Sequence, residues 1–167
     1  SRSGDFTDEV LIVEDYSNTE SFPGLNAYPW DIPSDITPSA GARIKVVAAN
    51  YTGISAPFSL KGLKVTSPTS GDVWEDGVLY SVSWATAGIT GTVNVFYSPD
   101  DGATYPTQLN VAAVNITAGE FQWTADAFAA LPSSTAKIKV EVVSGADTGL
   151  AAESETFVFK AIRPTAP

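Results

Sequence analysis

The chain has 167 residues, with 19 acidic side chains against 9 basic ones, and it contains no Cys, Met or His. That composition excludes disulfides, thiolate nucleophiles, Cys-zinc sites, imidazole bases and the Ser-His-Asp triad, and a net charge of −10 argues against a nucleic-acid backbone as partner. At 44% hydrophobic the chain can bury a core, and no apolar run approaches the roughly 18 residues that span a bilayer, so no transmembrane segment is expected. A carboxylate-only enzyme, a calcium site, or a binding or structural module remains.

Only 17% of the residues are charged, against about 25% in an average domain. Thr, Ser, Ala, Val and Gly take their place, as in β-rich extracellular modules. Taken in chain order, the first expected strands are Asp8 to Val13, Tyr28 to Trp30, Arg43 to Ala48 and Pro57 to Leu60. Val78, Tyr80, Val82 and Trp84 then alternate with Leu79, Ser81, Ser83 and Ala85. Val93, Val95 and Tyr97 alternate with Asn94, Phe96 and Ser98. Phe121 and Trp123 flank Gln122; Ile138, Val140 and Val142 alternate with lysines and Glu141; Phe157 and Phe159 flank Val158. A period of two is that of strands with one face in a core. Ser67-Pro68, Ser70-Gly71-Asp72, Asp76-Gly77, Asp100-Asp101-Gly102, Ala118-Gly119 and Ser144-Gly145 supply the turns between them. Ala125 to Ala130 is the one helix candidate, too short to persist alone, and reads as a single turn.

The chain repeats itself at a spacing of about 93–99 residues, which is a domain-sized period. Tyr28-Pro29-Trp30 matches Phe121-Gln122-Trp123, Ala42-Arg43-Ile44-Lys45-Val46-Val47 matches Ala136-Lys137-Ile138-Lys139-Val140-Glu141, and Ser55 to Leu60 matches Ser154 to Phe159. The earlier copy has no counterpart of Leu63 to Tyr97. The expectation is an all-β chain of tandem sandwiches, the first lacking its opening strands: an incomplete module over 1–61, a complete one over 62–162, and a linker over 163–167. The simplest reading of the missing strands is a piece of a longer protein; the alternative is an incomplete module that borrows strands.

From Leu63 onward the elements Ser67-Pro68, Gly71-Asp72-Val73-Trp74-Glu75-Asp76-Gly77, Val82-Ser83-Trp84, Tyr97-Ser98-Pro99-Asp100-Asp101-Gly102 and Gly119-Glu120-Phe121-Gln122-Trp123 follow one another. This order resembles the immunoglobulin-like repeat of the Ser-Thr-rich GPI-anchored membrane protein family, related to yeast cell-wall glucan assembly proteins and found in tandem in prokaryotic surface proteins. The resemblance implies immunoglobulin-like sandwiches in an extracellular or cell-surface setting, and no enzymatic activity.

Ser98, Asp100, Gly102, Thr104 and Tyr105 fit an Asp-box, in which the Asp accepts turn amides, Gly supplies positive φ and the aromatic packs beneath. Its expected role is a structural turn. Asp100 and Asp101 are also the candidates for calcium, although a hard cation wants six or more oxygens and few others lie nearby. Paired carboxylates could hydrolyse glycosides, but Asp72, Glu75, Asp76, Asp100, Asp101, Asp126, Glu153 and Glu155 all sit in turn-like contexts. Trp84 and Trp123 belong on the core face of strands, Trp30 shares the role of Trp123, and Trp74 sits between Gly71 and Gly77 in a turn, where it could cover an end of the sandwich or stack on a sugar. Asn50-Tyr51-Thr52 and Asn115-Ile116-Thr117 are N-glycosylation sequons.

The expected function is a structural segment of a repetitive extracellular surface protein, such as an S-layer, surface filament or adhesin stalk. Expected partners are other copies or neighbouring modules of the same polypeptide, joined by β-strand addition. The alternative is a polysaccharide-binding module. No cofactor is expected apart from the calcium alternative.

Overall fold

The computed structural model describes residues 9–16, 28–33, 36–127 and 129–161. Apart from one 3-10 turn, Ile116–Ala118, its regular elements are strands. The earlier copy contributes β1 (Ser39–Ala42), β2 (Lys45–Ala48), β3 (Tyr51–Ile54) and β4 (Phe58–Leu60). The later copy contributes β5 (Gly62–Ser67), β6 (Val73–Glu75), β7 (Leu79–Ala87), β8 (Thr92–Ser98), β9 (Thr107–Gln108), β10 (Val114–Asn115), β11 (Glu120–Thr124), β12 (Ser133–Val142), β13 (Ala151–Glu153) and β14 (Phe157–Lys160).

The strands of the later copy form a β-sandwich. One sheet runs β11-β7-β5; the other runs β10-β8-β12-β14-β6, with β9 also on β8 and β13 also on β12. The alternating residues close the space between the sheets. Val93, Val95, Ile138, Val140 and Val142 are fully buried, and Val82 meets them from the opposite sheet. Each such side chain is worth about 1.5–3 kcal/mol of transfer free energy. Trp84 and Trp123 face this core, as their alternation requires. The Trp84 indole N–H donates to the Ile116 carbonyl at 2.8 Å, so the large ring is buried without an orphaned donor.

Trp74 is not in a turn. It lies in β6, which runs parallel to β14 with Trp74 opposite Phe159. Its ring stacks on Tyr80 at 4.7 Å between centroids and meets Trp123 and Phe157. At 4% exposure it is a core residue, so neither the end-cover nor the sugar-stacking reading holds. Positive-φ glycines Gly71 and Gly77 bound the strand rather than a loop.

Two buried polar side chains shape the sheet edges. Along β8 the ladder lapses between β9 and β10, and Asn110 substitutes for it. Its Oδ1 accepts the Val95 amide at 2.7 Å, and its Nδ2 donates to the Val93 carbonyl and to Ala112. Along β12 the ladder lapses between β13 and β14, where Ser154 Oγ accepts the Ile138 amide at 2.9 Å. The connection from β11 to β12 holds one helical turn, with the Ala129 and Ala130 amides on the Asp126 carbonyl.

In the earlier copy, β1 pairs with β4 and β2 with β3. Of the expected strands, Arg43 to Ala48 shortens to β2, and Pro57 to Leu60 becomes β4. The described residues 9–13 and 28–30 are not strands, and Asp8 lies outside the description. The reason is a missing partner: a strand is held by its ladder, and β11, the match of Tyr28 to Trp30, is held in the later copy by β7, which has no counterpart among the described residues of the earlier copy. Trp30 is correspondingly half-buried rather than core. Residues 162–167, including the expected linker, lie outside the described residues.

Candidate functional site

The Asp-box residues come together in one tight turn at the end of β8. Ser98 Oγ donates to Asp100 Oδ1 at 2.7 Å and accepts the Gly102 amide at 2.9 Å. Asp100 Oδ1 accepts the Thr104 amide at 2.9 Å, and its Oδ2 accepts the Thr104 hydroxyl at 2.6 Å. Asp101 and Gly102 take positive φ values of 57° and 83°. The Thr104 and Ser98 hydroxyls, followed by the Thr104 amide, hold the Asp100 carboxyl below the usual range. Asp101 Oδ1 receives the Thr156 hydroxyl at 2.8 Å and Lys137 Nζ at 3.1 Å, which also lowers its pKa. The Asp101 amide and the Ser133 hydroxyl then tie the turn to β12. Calcium at Asp100 and Asp101 would have to displace these donors, and among the described residues no group of three or more acidic side chains is placed to hold a metal.

Beside the turn, Tyr105 and Phe96 lie on the outer face of the large sheet. Lys139 Nζ sits 4.8 Å from each ring centroid and pairs with Glu141. The Tyr105 hydroxyl is buried and closes no hydrogen bond of normal geometry. Burial, then the Glu153 carboxylate, push its pKa up. The other candidate carboxylates are spread among turn contacts. Asp72 accepts the Thr69 amide and hydroxyl, Asp76 accepts the Ala127 amide, and Glu155 accepts the Ser70 amide. Both sequon asparagines are exposed: Asn50 in the β2–β3 turn, and Asn115 at the 3-10 turn, where its Oδ1 accepts the Thr117 amide and hydroxyl.

The sequence repeat has a structural counterpart. In β1–β4, Ser39 faces Leu60 and Ala42 faces Phe58 across an irregularity. In β12–β14 the matching residues, Ser133 with Phe159 and Ala136 with Phe157, face each other across the same irregularity. Lys45↔Ile54, Val46↔Gly53 and Val47↔Thr52 in β2–β3 correspond to Lys139↔Glu153, Val140↔Ala152 and Glu141↔Ala151 in β12–β13. The polar hinge is repeated too. Ser55 Oγ accepts the Ile44 amide at 2.9 Å, the Ser55 amide donates to the Ile44 carbonyl, and the hydroxyl donates to the next carbonyl. Ser154 makes the same three bonds with Ile138 and Glu155. Thus β1–β4 is a second example of the hairpin that completes the sandwich.

What differs is the cover. In β12 and β14, Ile138, Val140, Phe157 and Phe159 are at most 1% exposed. In the earlier hairpin Ala42 and Leu60 are buried, but Val46 and Val47 are each 62% exposed, Tyr51 81% and Ile54 52%. Val10 is exposed as well, while Ile12 and Ile44 are half-buried. Sequence periodicity does not reveal β1, β3 or the paired roles of Ser55 and Ser154, although the two serines stand at matching places in the repeat.

A single residue, Lys61, connects the end of β4 to the start of β5. Lys61 Nζ pairs with Asp147 at 2.6 Å, and its methylenes pass Gly88, where a Cβ would lie 3.2 Å away. A Cβ on Gly62 would stand 3.1 Å from Pro38 Cγ. A cleft of about 280 Å³ lies at this junction, lined by Ile32, Pro38, Leu60, Gly62 and Leu63 among others. Pro132, Phe159, Lys160 and Ala161, the repeat equivalents of Pro38, Leu60, Lys61 and Gly62, line an open groove of about 720 Å³ at the far end of the sandwich.

No protein-family model, curated protein or solved structure matches the chain. The fold places it among all-β proteins built on a β-sandwich.

Proposed function

We propose that the chain is a structural segment of a repetitive extracellular surface protein, built from immunoglobulin-like modules in series. The observation that carries this reading is the repeated hairpin register together with the single-residue junction at Lys61. The order β11-β7-β5 against β8-β12-β14-β6, with β6 parallel to β14, supports the immunoglobulin-like arrangement. A one-residue connector braced by the Lys61–Asp147 pair and by Gly62 on Pro38 limits bending between neighbours, as a stalk or filament requires. The polysaccharide alternative is not favoured, because Trp74, Trp84 and Trp123 face the core and leave no tryptophan platform on the sandwich for a sugar.

The natural chain has no cysteine, so spin labels can be placed at will. With labels at Val47→Cys and Ser134→Cys, the interlabel distance distribution should be narrow, and Lys61→Gly-Ser-Gly-Ser-Gly should broaden it. A broad distribution in the unaltered junction would refute the stiff-spacer reading. Labelling of intact source cells with a membrane-impermeant reagent tests the surface location; modification only after lysis would overturn it.

A further inference from the structure

The two sequons sit in opposite surroundings. Asn115-Ile116-Thr117 is locked into the sandwich. Its Asn Oδ1 accepts the Thr117 amide and hydroxyl. Its middle residue, Ile116, is fully buried. The Ile116 amide donates to the Gly91 carbonyl at 3.0 Å, and its own carbonyl accepts the Trp84 indole N–H at 2.8 Å. A transferase that draws a sequon into its own site would have to pull Ile116 out of the core.

Asn50-Tyr51-Thr52 is presented instead. The last pair of the β2–β3 hairpin is Ala48↔Tyr51, so Ala49 and Asn50 form the turn, with Ala49 at a positive φ of 48°. Every residue of both strands is exposed, Tyr51 by 81%. Opening this tip uncovers no core, and such tips belong to the low-stability end of a fold. Val46, Val47, Tyr51 and Ile54 also lie exposed on this short arm, and clustered apolar surface marks a place that something covers.

We propose that Asn50 is an N-glycosylation site whose glycan covers the β2–β3 arm, and that Asn115 stays bare. This rests on the reading of the chain as an extracellular surface segment, since sequons are modified on exported proteins. The donor is by class an oligosaccharide on a lipid phosphate. The Asn50 Nδ2 forms a bond to the anomeric carbon of the first sugar, and the bond from that carbon to the phosphate oxygen breaks. The electron pair leaves with the lipid phosphate, and Nδ2 gives up one proton to a base of the transferase. The attached sugar stands beside Tyr51, whose ring offers a flat apolar face to the C–H face of a pyranose, while the sugar hydroxyls keep the arm wetted.

The test is peptide mapping by mass spectrometry on the polypeptide isolated from its source. The Asn50 peptide should carry a glycan mass, and the Asn115 peptide should be unmodified. Thr52→Ala, which destroys the sequon but keeps the asparagine, should abolish the added mass, leave the main melting transition in place and raise the binding of a hydrophobic dye. Adding Tyr51→Ser to that variant should lower the dye binding again. An unmodified Asn50 or a glycan on Asn115 would overturn the assignment, and dye binding that does not change with Thr52→Ala would overturn the covering role. A chain labelled on intact cells with Asn50 bare refutes the glycan alone and leaves the surface location standing.

Discussion

Replacing Trp84 tests the core directly. The side chain is 5% exposed, and emptying a buried Trp site costs about 3–5 kcal/mol. The indole N–H bond to the Ile116 carbonyl is also lost, but that carbonyl keeps the Gly119 amide at 3.3 Å. No buried acceptor is left wholly unpaired, so the penalty of about 1–3 kcal/mol for an orphaned group is avoided. Trp84→Ala should therefore cost about 3–4 kcal/mol, in the lower half of the range. For a folding unit of about 100 residues, this lowers the melting temperature by about 12–16 °C, at about 4 °C per kcal/mol. Trp84→Phe retains most of the buried ring and should lose only about 1–2 kcal/mol. Urea unfolding followed by far-UV circular dichroism separates the two, with the denaturant slope unchanged if only stability moves. A Trp84→Ala shift of a degree or two, or equal losses for Ala and Phe, would refute a core role for this ring.

Asp100→Ala should lower the melting temperature at pH 7 without creating or abolishing any calcium effect. Because the folded-state pKa is held below the unfolded one, Asp100 contributes its full stabilisation above the ordinary Asp value of about 4, and the gap between wild type and variant should narrow as the pH falls below that value and through the lowered folded-state one. A melting gain on adding calcium that Asp100→Ala removes would overturn the turn reading. Gly91→Ala should cost about 2–3 kcal/mol, because φ is 122° and a Cβ would stand 2.0 Å from the Ser144 carbonyl oxygen. Gly71→Ala, with positive φ but open space around it, should cost only about 1–2 kcal/mol; equal losses in thermal melts would argue against the close approach. Ser154→Ala orphans the Ile138 amide in a buried site and should cost about 1–3 kcal/mol, whereas Ser55→Ala, at the half-buried equivalent, should leave the main transition in place.

The parts of the fold legible in sequence are those governed by local periodicity. β7, β8 and β12 alternate because each presents one face to a packed core, and the Asp-box announced itself because its partners lie within eight residues. Trp74 was obscure because β6 is only three residues long and is defined by β14, which is remote in sequence. The glycines around it carry the same signal whether they bound a turn or a strand. Tyr28 to Trp30 misleads for the opposite reason: its likeness to Phe121 to Trp123 reports what the segment can pair with, and its partner strand has no counterpart among the described residues of the earlier copy. β1 and β3 were missed because Ser39–Ala42 and Tyr51–Ile54 hold too few alternating apolar residues to announce a strand. Asn110 gave no signal, since a buried amide that replaces a ladder bond has no periodicity.

That asparagine bears on how crowded copies behave. The outer side of β8 would otherwise present a continuous row of amides and carbonyls, the surface on which β-proteins stick to one another. β9 and β10 cover only two residues each, and the Asn110 carboxamide occupies the gap between them with bonds to Val93 and Val95. An incoming strand therefore finds no uninterrupted run on which to propagate. At high concentration this interrupts edge-to-edge strand pairing along the β8 flank of the sandwich.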